Sequence, residues 1–233
     1  MKKSIAILLL LASNALFAQE NSLKTSLTDA LLGHFNLSYE RALTEKGALA
    51  VKFGYWQPTS SLLMNKKAFT PEAYNLQQSD GGFNVSVEYR LYLSTKSALN
   101  GFYVAPYLRF FNQSGLFEDE IDSRLFDVNV KLNTFGLGAQ IGYQWVFNEA
   151  FTLDLYFFGA GVDRYGTKIK YTLKQPDANF DYSTITNDVN EVFKNINYLE
   201  SKLEHEVSND NHLSKLPFLF PGFRLGMNVG YSF

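Results

Sequence analysis

The sequence predicts an all-β fold, an eight-stranded antiparallel transmembrane β-barrel with a short amphipathic helix in its last external loop. Three observations support this prediction. Segments of alternating apolar and polar residues recur along the chain, short and long connections alternate between them, and the last segment, "GFRLGMNVGYSF", ends in a large aromatic residue. Alternation with a period of two is typical of a strand that faces two different environments.

Composition excludes several classes of protein. The chain has 233 residues, of which 46% are hydrophobic and 16% aromatic. After the first twenty residues, no stretch approaches the roughly 18 apolar residues that a membrane-spanning helix needs. The net charge of −2 argues against a nucleic-acid partner, and the absence of cysteine excludes disulfides and thiol chemistry.

Residues 1–18 predict a secretory signal peptide. Lys2 and Lys3 precede an apolar run, residues 5–11, and cleavage is expected after Ala18. A core helix is the alternative, but so short an apolar run behind two lysines fits it poorly. The mature protein is then one barrel domain, residues 19–233, that is exported and folds without disulfides.

Eight segments of the mature chain carry the alternation, and it is clearest in the middle and at the end. The predicted strands are residues 22–31, 34–43, 47–57, 83–93, 101–111, 131–147, 151–166 and 217–233. A β-structure crosses a membrane only as a closed barrel, because hydrocarbon offers no hydrogen bonds to the backbone. We therefore expect the apolar face of each strand to lie against lipid and the polar or glycine face to point inward.

The connections alternate in length after the second strand. Short turns are predicted at 44–47, 94–101 and 148–150, and long polar loops at 58–81, 112–129 and 167–216. The first hairpin tip, near residues 32–33, is short although it would lie outside. Short periplasmic turns and long external loops are typical of outer-membrane barrels, and an even strand number places both termini in the periplasm.

The last strand resembles a known family. The signal peptide, the eight strands and the ending "GYSF" resemble the small outer-membrane barrels of the OmpA/OmpX type, whose C-terminal aromatic residue and the apolar residue two positions earlier are read by the barrel-assembly machinery. Phe233 and Tyr231 occupy those two positions, and Asn228 replaces the usual glycine. This resemblance implies outer-membrane lipid and the assembly machinery as partners.

A second resemblance rests on one motif. The segment "LLGHFNLSYERAL", residues 31–43, is similar to an opening motif of a Gram-negative barrel family known only as a domain of unknown function. Neither resemblance implies a catalytic residue or a cofactor, and we expect no enzyme activity, no bound cofactor or metal, and a monomer.

The alternation also predicts which polar residues share the interior. An eight-stranded barrel is narrow enough for side chains to fill it, and buried charges are costly unless they are paired. We therefore expect a salt-bridged plug and, as the alternative, a path for protons or ions. The predicted interior network is Glu40, Lys52, Glu88, Arg90, Arg109, Asp154 and Arg224, with Gln140, Gln144, Tyr92 and Tyr107 beside it.

Few residues suggest chemistry. His34 with Ser38 or Asp29 is the only combination that could orient a general base, and a histidine at the rim of the barrel is the simpler interpretation. The acidic segment 117–127 could bind Ca²⁺ through carboxylate oxygens. A solvated acidic loop is favoured, because the segment lacks the glycine and the spacing of a calcium loop.

The long connection 167–216 is expected to carry the function of the protein, because such a loop exceeds what a connection requires. Apolar residues at steps of three and four predict an amphipathic helix over 187–207, with Thr186 or Asn187 as N-cap. This helix would cap the barrel mouth or dock an external protein or ligand. Its predicted apolar face is Val189, Val192, Phe193, Ile196, Leu199, Leu203 and Val207.

The sequence favours a non-enzymatic outer-membrane barrel with a structural or surface-interaction role. Two alternatives are a narrow passage for a small apolar solute and a lipid-modifying outer-membrane enzyme. A soluble eight-stranded ligand carrier is the rival fold, but it would need an apolar interior.

Overall fold

Most of the described chain is β-strand in a single antiparallel sheet. The computed structural model describes residues 20–56, 78–93, 99–175, 177, 180–208 and 211–233, so the predicted signal peptide and the turn residues 94–98 lie outside it. The strands are β1 (Asn21–Ser26), β2 (His34–Ala42), β3 (Gly47–Trp56), β4 (Gln78–Tyr92), β5 (Gly101–Ile121), β6 (Arg124–Phe147), β7 (Phe151–Leu173), β8 (Glu204–Val207) and β9 (Asn211–Ser232). The helices are α1 (Leu27–Leu31), α2 (Ser183–Phe193) and α3 (Asn197–Glu200).

Eight of these strands close into a ring. Strands β1 to β7 pair in sequence order, β7 pairs with β9, and β9 pairs with β1. At the seam, the Asn21 N–H donates to the Phe233 carbonyl at 3.0 Å and the Phe233 N–H donates to the Asn21 carbonyl at 2.9 Å. Strand β8 lies outside the ring, on the edge of β9. The predicted closure of eight antiparallel strands is confirmed.

The ring is uneven in height. Strands β1, β2 and β3 have 6, 9 and 10 residues, whereas β5, β6, β7 and β9 have 21, 24, 23 and 22. One end of the ring, the turn end, carries the seam and the tight turns 43–46 and 148–150. Because the strands pair from this end, the extra length of the tall strands projects at the opposite end, the loop end.

The prediction of a long polar loop over 112–129 is wrong. Strands β5 and β6 stay paired as far as Ile121 and Arg124. Asp122 and Ser123 join them with φ of 50° and 60°, and two successive positive φ values are what a two-residue hairpin turn requires. The ladder continues because Phe126 and Val128 are fully buried on its inner face. Glu118, Glu120 and Asp127 lie on the opposite face.

Two further predicted boundaries are wrong. The strand predicted over 22–31 ends at Ser26, whose hydroxyl accepts the Asp29 N–H at 3.1 Å and so caps helix α1. The connection predicted over 167–216 is shorter than expected, because β7 continues to Leu173 and β9 begins at Asn211.

The helix predicted over 187–207 is also wrong in its extent. Helix α2 begins at Ser183, where the Asp181 carboxylate accepts the backbone N–H at 2.9 Å, and it ends at Phe193. Asparagine and β-branched residues at 195–197 have low helix propensity. Beyond α3, residues 204–207 gain a strand ladder on β9 instead of continuing the helix.

The two faces of the ring differ in polarity. Its outer face carries exposed large apolar side chains, among them Phe35, Leu37, Phe53, Leu108, Leu137, Phe158, Phe223 and Leu225. Its inner face carries buried charged and polar side chains and tyrosines. Several tyrosines lie across glycine positions: the Tyr107 hydroxyl lies where a side chain at Gly138 or Gly161 would be. None of the helices in the described part of the chain is long and apolar enough to cross a bilayer.

Candidate functional site

The inner face near the turn end holds a closed network of charges. Lys24 of β1 forms an ion pair with Glu40 of β2 and donates to Asp154 Oδ2 at 3.1 Å and to Gln144 Oε1 at 2.7 Å. All four residues are fully buried. Four different strands therefore meet at one ammonium group.

Arg90 of β4 crosses the same space. Its guanidinium donates to Asp154 Oδ2 at 2.9 Å, to Glu88 Oε2 at 2.9 Å and to Glu40 Oε2 at 3.3 Å. The carbon at its centre lies 4.5 Å from the centroid of the Tyr103 ring, a cation–π distance. The Tyr103 hydroxyl donates to Asp154 Oδ1 at 2.8 Å. A guanidinium has five N–H donors, so one residue connects three carboxylates.

The network is electrically balanced. Three cations, Lys24, Arg90 and Arg224, contact three carboxylates, those of Glu40, Glu88 and Asp154. The Tyr92 hydroxyl donates to Glu40 Oε1, and the amides of Gln140 and Asn228 add hydrogen bonds to Glu88 Oε2 and Asp154 Oδ2. Because each charge has partners of opposite sign, the desolvation cost of burial is offset.

A second level of charges lies toward the loop end. Arg109 of β5 pairs with Asp163 of β7, with 3.0 Å between Nε and Oδ1. Lys52 of β3 lies 3.4 Å from Asp29 of α1. Gly222 of β9 permits the first pair, because a side chain there would collide with the Asp163 carboxylate.

The structure places all seven residues of the predicted network on the inner face but divides them between two levels. The balanced network contains Glu40, Glu88, Arg90, Asp154 and Arg224. At the second level, Lys52 pairs with Asp29 and Arg109 pairs with Asp163. Gln140, Gln144, Tyr92 and Tyr107 are also buried inside.

Sequence reasoning missed Lys24 and Asp163. The alternation in "NSLKTS", residues 21–26, places Lys24 on the same face as Ser22 and could have revealed it. Asp163 follows a bulge in β7, and simple alternation assigns it to the wrong face. The pairing with both neighbouring strands shifts between Tyr156 and Gly159, so inward positions change from even to odd numbers. The adjacent residues Phe157 and Phe158, both exposed, are the only sign of this change in the sequence.

A cavity of about 490 Å³ lies above the network, toward the loop end. Its floor and walls include Lys52, Ser86, Arg109, Thr134 and Arg224. Strand pairing places the first three of these side by side, since Lys52 pairs with Ser86 and Ser86 pairs with Arg109. The volume falls within the range of small-molecule pockets, about 300–1,000 Å³.

Several buried polar atoms in the cavity wall have no hydrogen-bond partner among the described residues. They are Asn36 Oδ1, Ser86 Oγ, Thr134 Oγ1 and Arg224 Nη1. Asn36, Ser86 and Thr134 are at least nine-tenths buried. Buried polar groups are nearly always hydrogen-bonded in folded proteins, so a group of four without partners in one cavity wall requires an explanation.

The candidate base His34 lies at the rim of this cavity. Its ring packs between Trp56 and Phe111, with centroid distances of 5.7 and 6.0 Å. Asp29 instead accepts a hydrogen bond from Asn36 and pairs with Lys52. The structure thus gives Asp29 other partners than the histidine.

The acidic segment 117–127 forms part of the β5–β6 hairpin. Lys174 forms an ion pair with Glu118 and lies 3.4 Å from Asp127, so two of the candidate calcium ligands face a lysine. Among the described residues, no group of three or more acidic or histidine side chains is arranged to hold a metal ion.

The loop end carries a folded cap that we define as residues 180–208. Its core is an apolar cluster in which helix α2 packs against the tall strands. Phe126, Val128, Leu173, Phe180, Tyr182, Ile185 and Val189 form this cluster. Of the predicted apolar face, Val189 is buried, Phe193 and Leu203 pack at its border, Leu199 is half-buried, and Val192, Ile196 and Val207 are exposed.

The cap also brings two histidines together. The His212 Nε2 lies 2.9 Å from the Thr186 hydroxyl, and the rings of His212 and His205 are 5.2 Å apart. Burial, with a smaller contribution from the charge of His205, lowers the pKa of His212 to about 4. Both rings therefore favour the neutral form at neutral pH.

The predicted assembly residues lie at the seam. Tyr231 points to the outer face and is 59% exposed, and its ring lies 6.3 Å from that of Phe233. Phe233 also closes the backbone ladder with Asn21.

Comparison with known proteins supplies a family. The family described as "Protein of unknown function (DUF3575)" matches residues 4–187, which is most of the chain. The chain belongs to this family. No curated protein and no solved structure matches it. The family's description names no activity.

Proposed function

We propose that this protein is an integral outer-membrane β-barrel with a closed, ion-paired interior and a non-enzymatic structural or surface-interaction role. The observation that carries the proposal is the polarity of the ring. Its outer face exposes large apolar side chains, with Leu225 71% and Phe53 61% exposed, whereas its inner face buries charges. A water-soluble ring would need the opposite arrangement, and hydrocarbon is the solvent that suits this one.

The uneven strands support an orientation. A transmembrane strand needs about 9–11 residues, and β5, β6, β7 and β9 have roughly twice that number. The turn end, with its tight turns and both termini of the ring, suits the periplasm. The tall strands then carry the cap beyond the outer surface.

The interior supports a closed barrel rather than a passage. The balanced network of Lys24, Arg90 and Arg224 with three carboxylates fills the turn end. Opening a path would require separating buried ion pairs, which is strongly unfavourable. The surface role then belongs to the cap, whose exposed apolar residues Val192, Ile196 and Val207 are available to an external protein or ligand.

A matched pair of substitutions tests membrane insertion. Leu225 and Leu125 are both exposed on β-strands, at 71% and 50%, but Leu225 lies in the proposed span and Leu125 at the tip of the β5–β6 hairpin. We expect Leu225→Arg to reduce the free energy of unfolding in lipid vesicles by about 2–4 kcal/mol and Leu125→Arg to leave it unchanged.

Electrophoretic mobility that changes on heating, measured in the outer-membrane fraction, provides the companion readout. Equal tolerance of both arginines, or recovery of the protein from the soluble fraction, would contradict the proposal. Steady single-channel currents in planar bilayers would instead favour the passage, and altered lipid A in a deletion strain would favour the enzyme.

A further inference from the structure

The wall of the ring has a notch beside the cavity. On the edge of β9 that faces away from β7, β8 covers residues 212–215 and β1 covers residues 228–232. Within the described part of the chain, no strand pairs with this edge between residues 216 and 227. The short strand β1 ends at Ser26, and helix α1 occupies only the corner of the notch.

The donors along this edge are largely accounted for. Odd-numbered residues of β9 direct their N–H groups toward this side, as Phe233 does at the seam. The Leu219 N–H donates to the Tyr198 hydroxyl at 3.2 Å, and the Met227 N–H donates to the Thr28 hydroxyl at 2.8 Å. Pro221 has no N–H. Most backbone N–H groups along the notch therefore have a side-chain acceptor or are absent. Among the described residues, only the N–H groups of Phe223 and Leu225 on this edge lack a hydrogen-bond acceptor.

The cavity opens on this notch. Its lining includes Phe223 and Leu225 from the edge of β9 and His34 from the facing strand β2. Phe223 and Leu225 are 70% and 71% exposed. Backbone edges at membrane depth occur where they line a cavity rather than face lipid. An apolar entrance thus leads from the outer face of the ring to a polar chamber.

The cavity lining carries more positive than negative side chains. Three cations line the cavity, Lys52, Arg109 and Arg224, against one carboxylate, that of Asp29. The Glu88 and Asp163 carboxylates that pair with these arginines are not part of the lining. Arg224 Nη1, Ser86 Oγ and Thr134 Oγ1 are donors without a partner. A carboxylate or phosphate oxygen is the acceptor that such donors favour.

We propose that the cavity binds a single-chain amphiphile, its anionic head on Arg224, Ser86 and Thr134 and its acyl chain in the notch beside Phe223 and Leu225. The inference rests on the proposed function, because the chain reaches the notch from the membrane. Carboxylate and phosphate heads share the required chemistry.

Fluorescence quenching tests the proposal. The Trp56 ring packs against His34, a residue of the cavity lining, so a Trp145→Phe background leaves one tryptophan as the reporter. In nanodiscs of zwitterionic phosphatidylcholine, undecanoate and undecyl phosphate, each brominated at the terminal carbon, should quench Trp56 saturably. Brominated undecanol, which lacks the charge, should bind at least about tenfold more weakly. The stronger of the two anions identifies the head group.

Substitutions of the unpartnered hydroxyls provide the decisive control. Ser86→Ala with Thr134→Val should weaken binding by about tenfold without destabilising the ring, because neither hydroxyl has a partner in the free protein. Ser22→Ala is the matched control, since Ser22 Oγ is also buried and unpartnered but lies at the seam, far from the cavity. It should leave binding unchanged.

Two results would overturn the inference: quenching that does not saturate, and saturable quenching that the Ser86→Ala, Thr134→Val protein retains in full. Heat-modifiable mobility in the nanodiscs is measured first. A protein that inserts but does not bind refutes only the amphiphile site, whereas a protein that does not insert refutes the barrel and lateral entry together.

Discussion

At the scale of single residues, Arg90 and Lys24 hold the interior together. Each donates to carboxylates from different strands, so the two side chains connect β1, β2, β4 and β7 across the ring. The contribution of these two side chains to the free energy of unfolding depends on whether their partners are present. A buried ion pair is weak evidence for stability by itself, but an unpaired partner left behind is strongly destabilising.

Removal of Lys24 tests this dependence. Lys24→Met leaves Glu40 and Asp154 with Arg90 as their shared cation, and we expect a loss of about 3–5 kcal/mol in the free energy of unfolding, measured by urea titration in lipid vesicles. Lys24→Met combined with Glu40→Gln should cost less than the two single changes added together. Lys46→Met, at an exposed turn position, is the control. Strictly additive effects would contradict a coupled network.

At the scale of elements, the cap is a separate unit from the ring interior. Its apolar cluster packs α2 on the loop-end extensions of β6 and β7, and two histidines lie beside it. The cap can open while the ring stays closed, because local stability varies across a fold.

The lowered pKa of His212 makes cap stability depend on pH. The folded pKa of about 4 lies below the ordinary histidine pKa of 6.5, so near pH 5 the opened cap binds the proton and the closed cap does not. Stability is complete above pH 6.5 and declines as the pH falls toward 4, by about 2 kcal/mol at pH 5. The protection factors of the α2 amides, which correct for the slower intrinsic exchange at lower pH, should fall between pH 7 and 5.

His212→Gln should remove most of this pH dependence, while the amides of β2 and β3 in the ring provide the internal reference. A fall in protection factor that is equal in the ring and in the cap would assign the effect to global unfolding and contradict a local histidine switch.

At the scale of the whole molecule, the ring closes between the first and last strands. The seam rests on backbone hydrogen bonds between Asn21 and Phe233 and on the register of β1 with β9. The aromatic side chains of Tyr231 and Phe233 lie on the outer face, where their packing contributes little inside the ring. An assembly role and a packing role for Phe233 can therefore be separated.

If the protein is the outer-membrane barrel proposed above, Phe233→Ala should reduce several-fold the amount assembled in the outer membrane of cells, because the assembly machinery would lose its aromatic determinant. Refolding of the purified variant into lipid vesicles, which needs no machinery, should proceed as for the wild type, with the same heat-modifiable mobility. Leu219→Ala, on the same strand, serves as the control. Equal impairment in cells and in vesicles would show that Phe233 acts through packing alone.

Much of the architecture could be predicted from local pattern. Strict alternation places Glu40, Glu88, Arg90 and Asp154 on one face of their strands, and a period of two needs no tertiary information to be recognised. The same pattern contained Lys24. The pattern could not identify Asp163 as an inward residue. The bulge at residues 157–158 exchanges the inward and outward positions of β7, and it depends on pairing with two neighbouring strands.

Local alternation is enough to predict the strands, the face that the charges share and the aromatic end of the last strand. Four features follow only from the folded structure: how the charges pair, how far β5 and β6 extend, where α2 ends, and the notch that unequal strand lengths leave beside the polar cavity. The physical reason is that strand faces follow from the covalent geometry of each segment, whereas partners, heights and openings follow from contacts between distant segments.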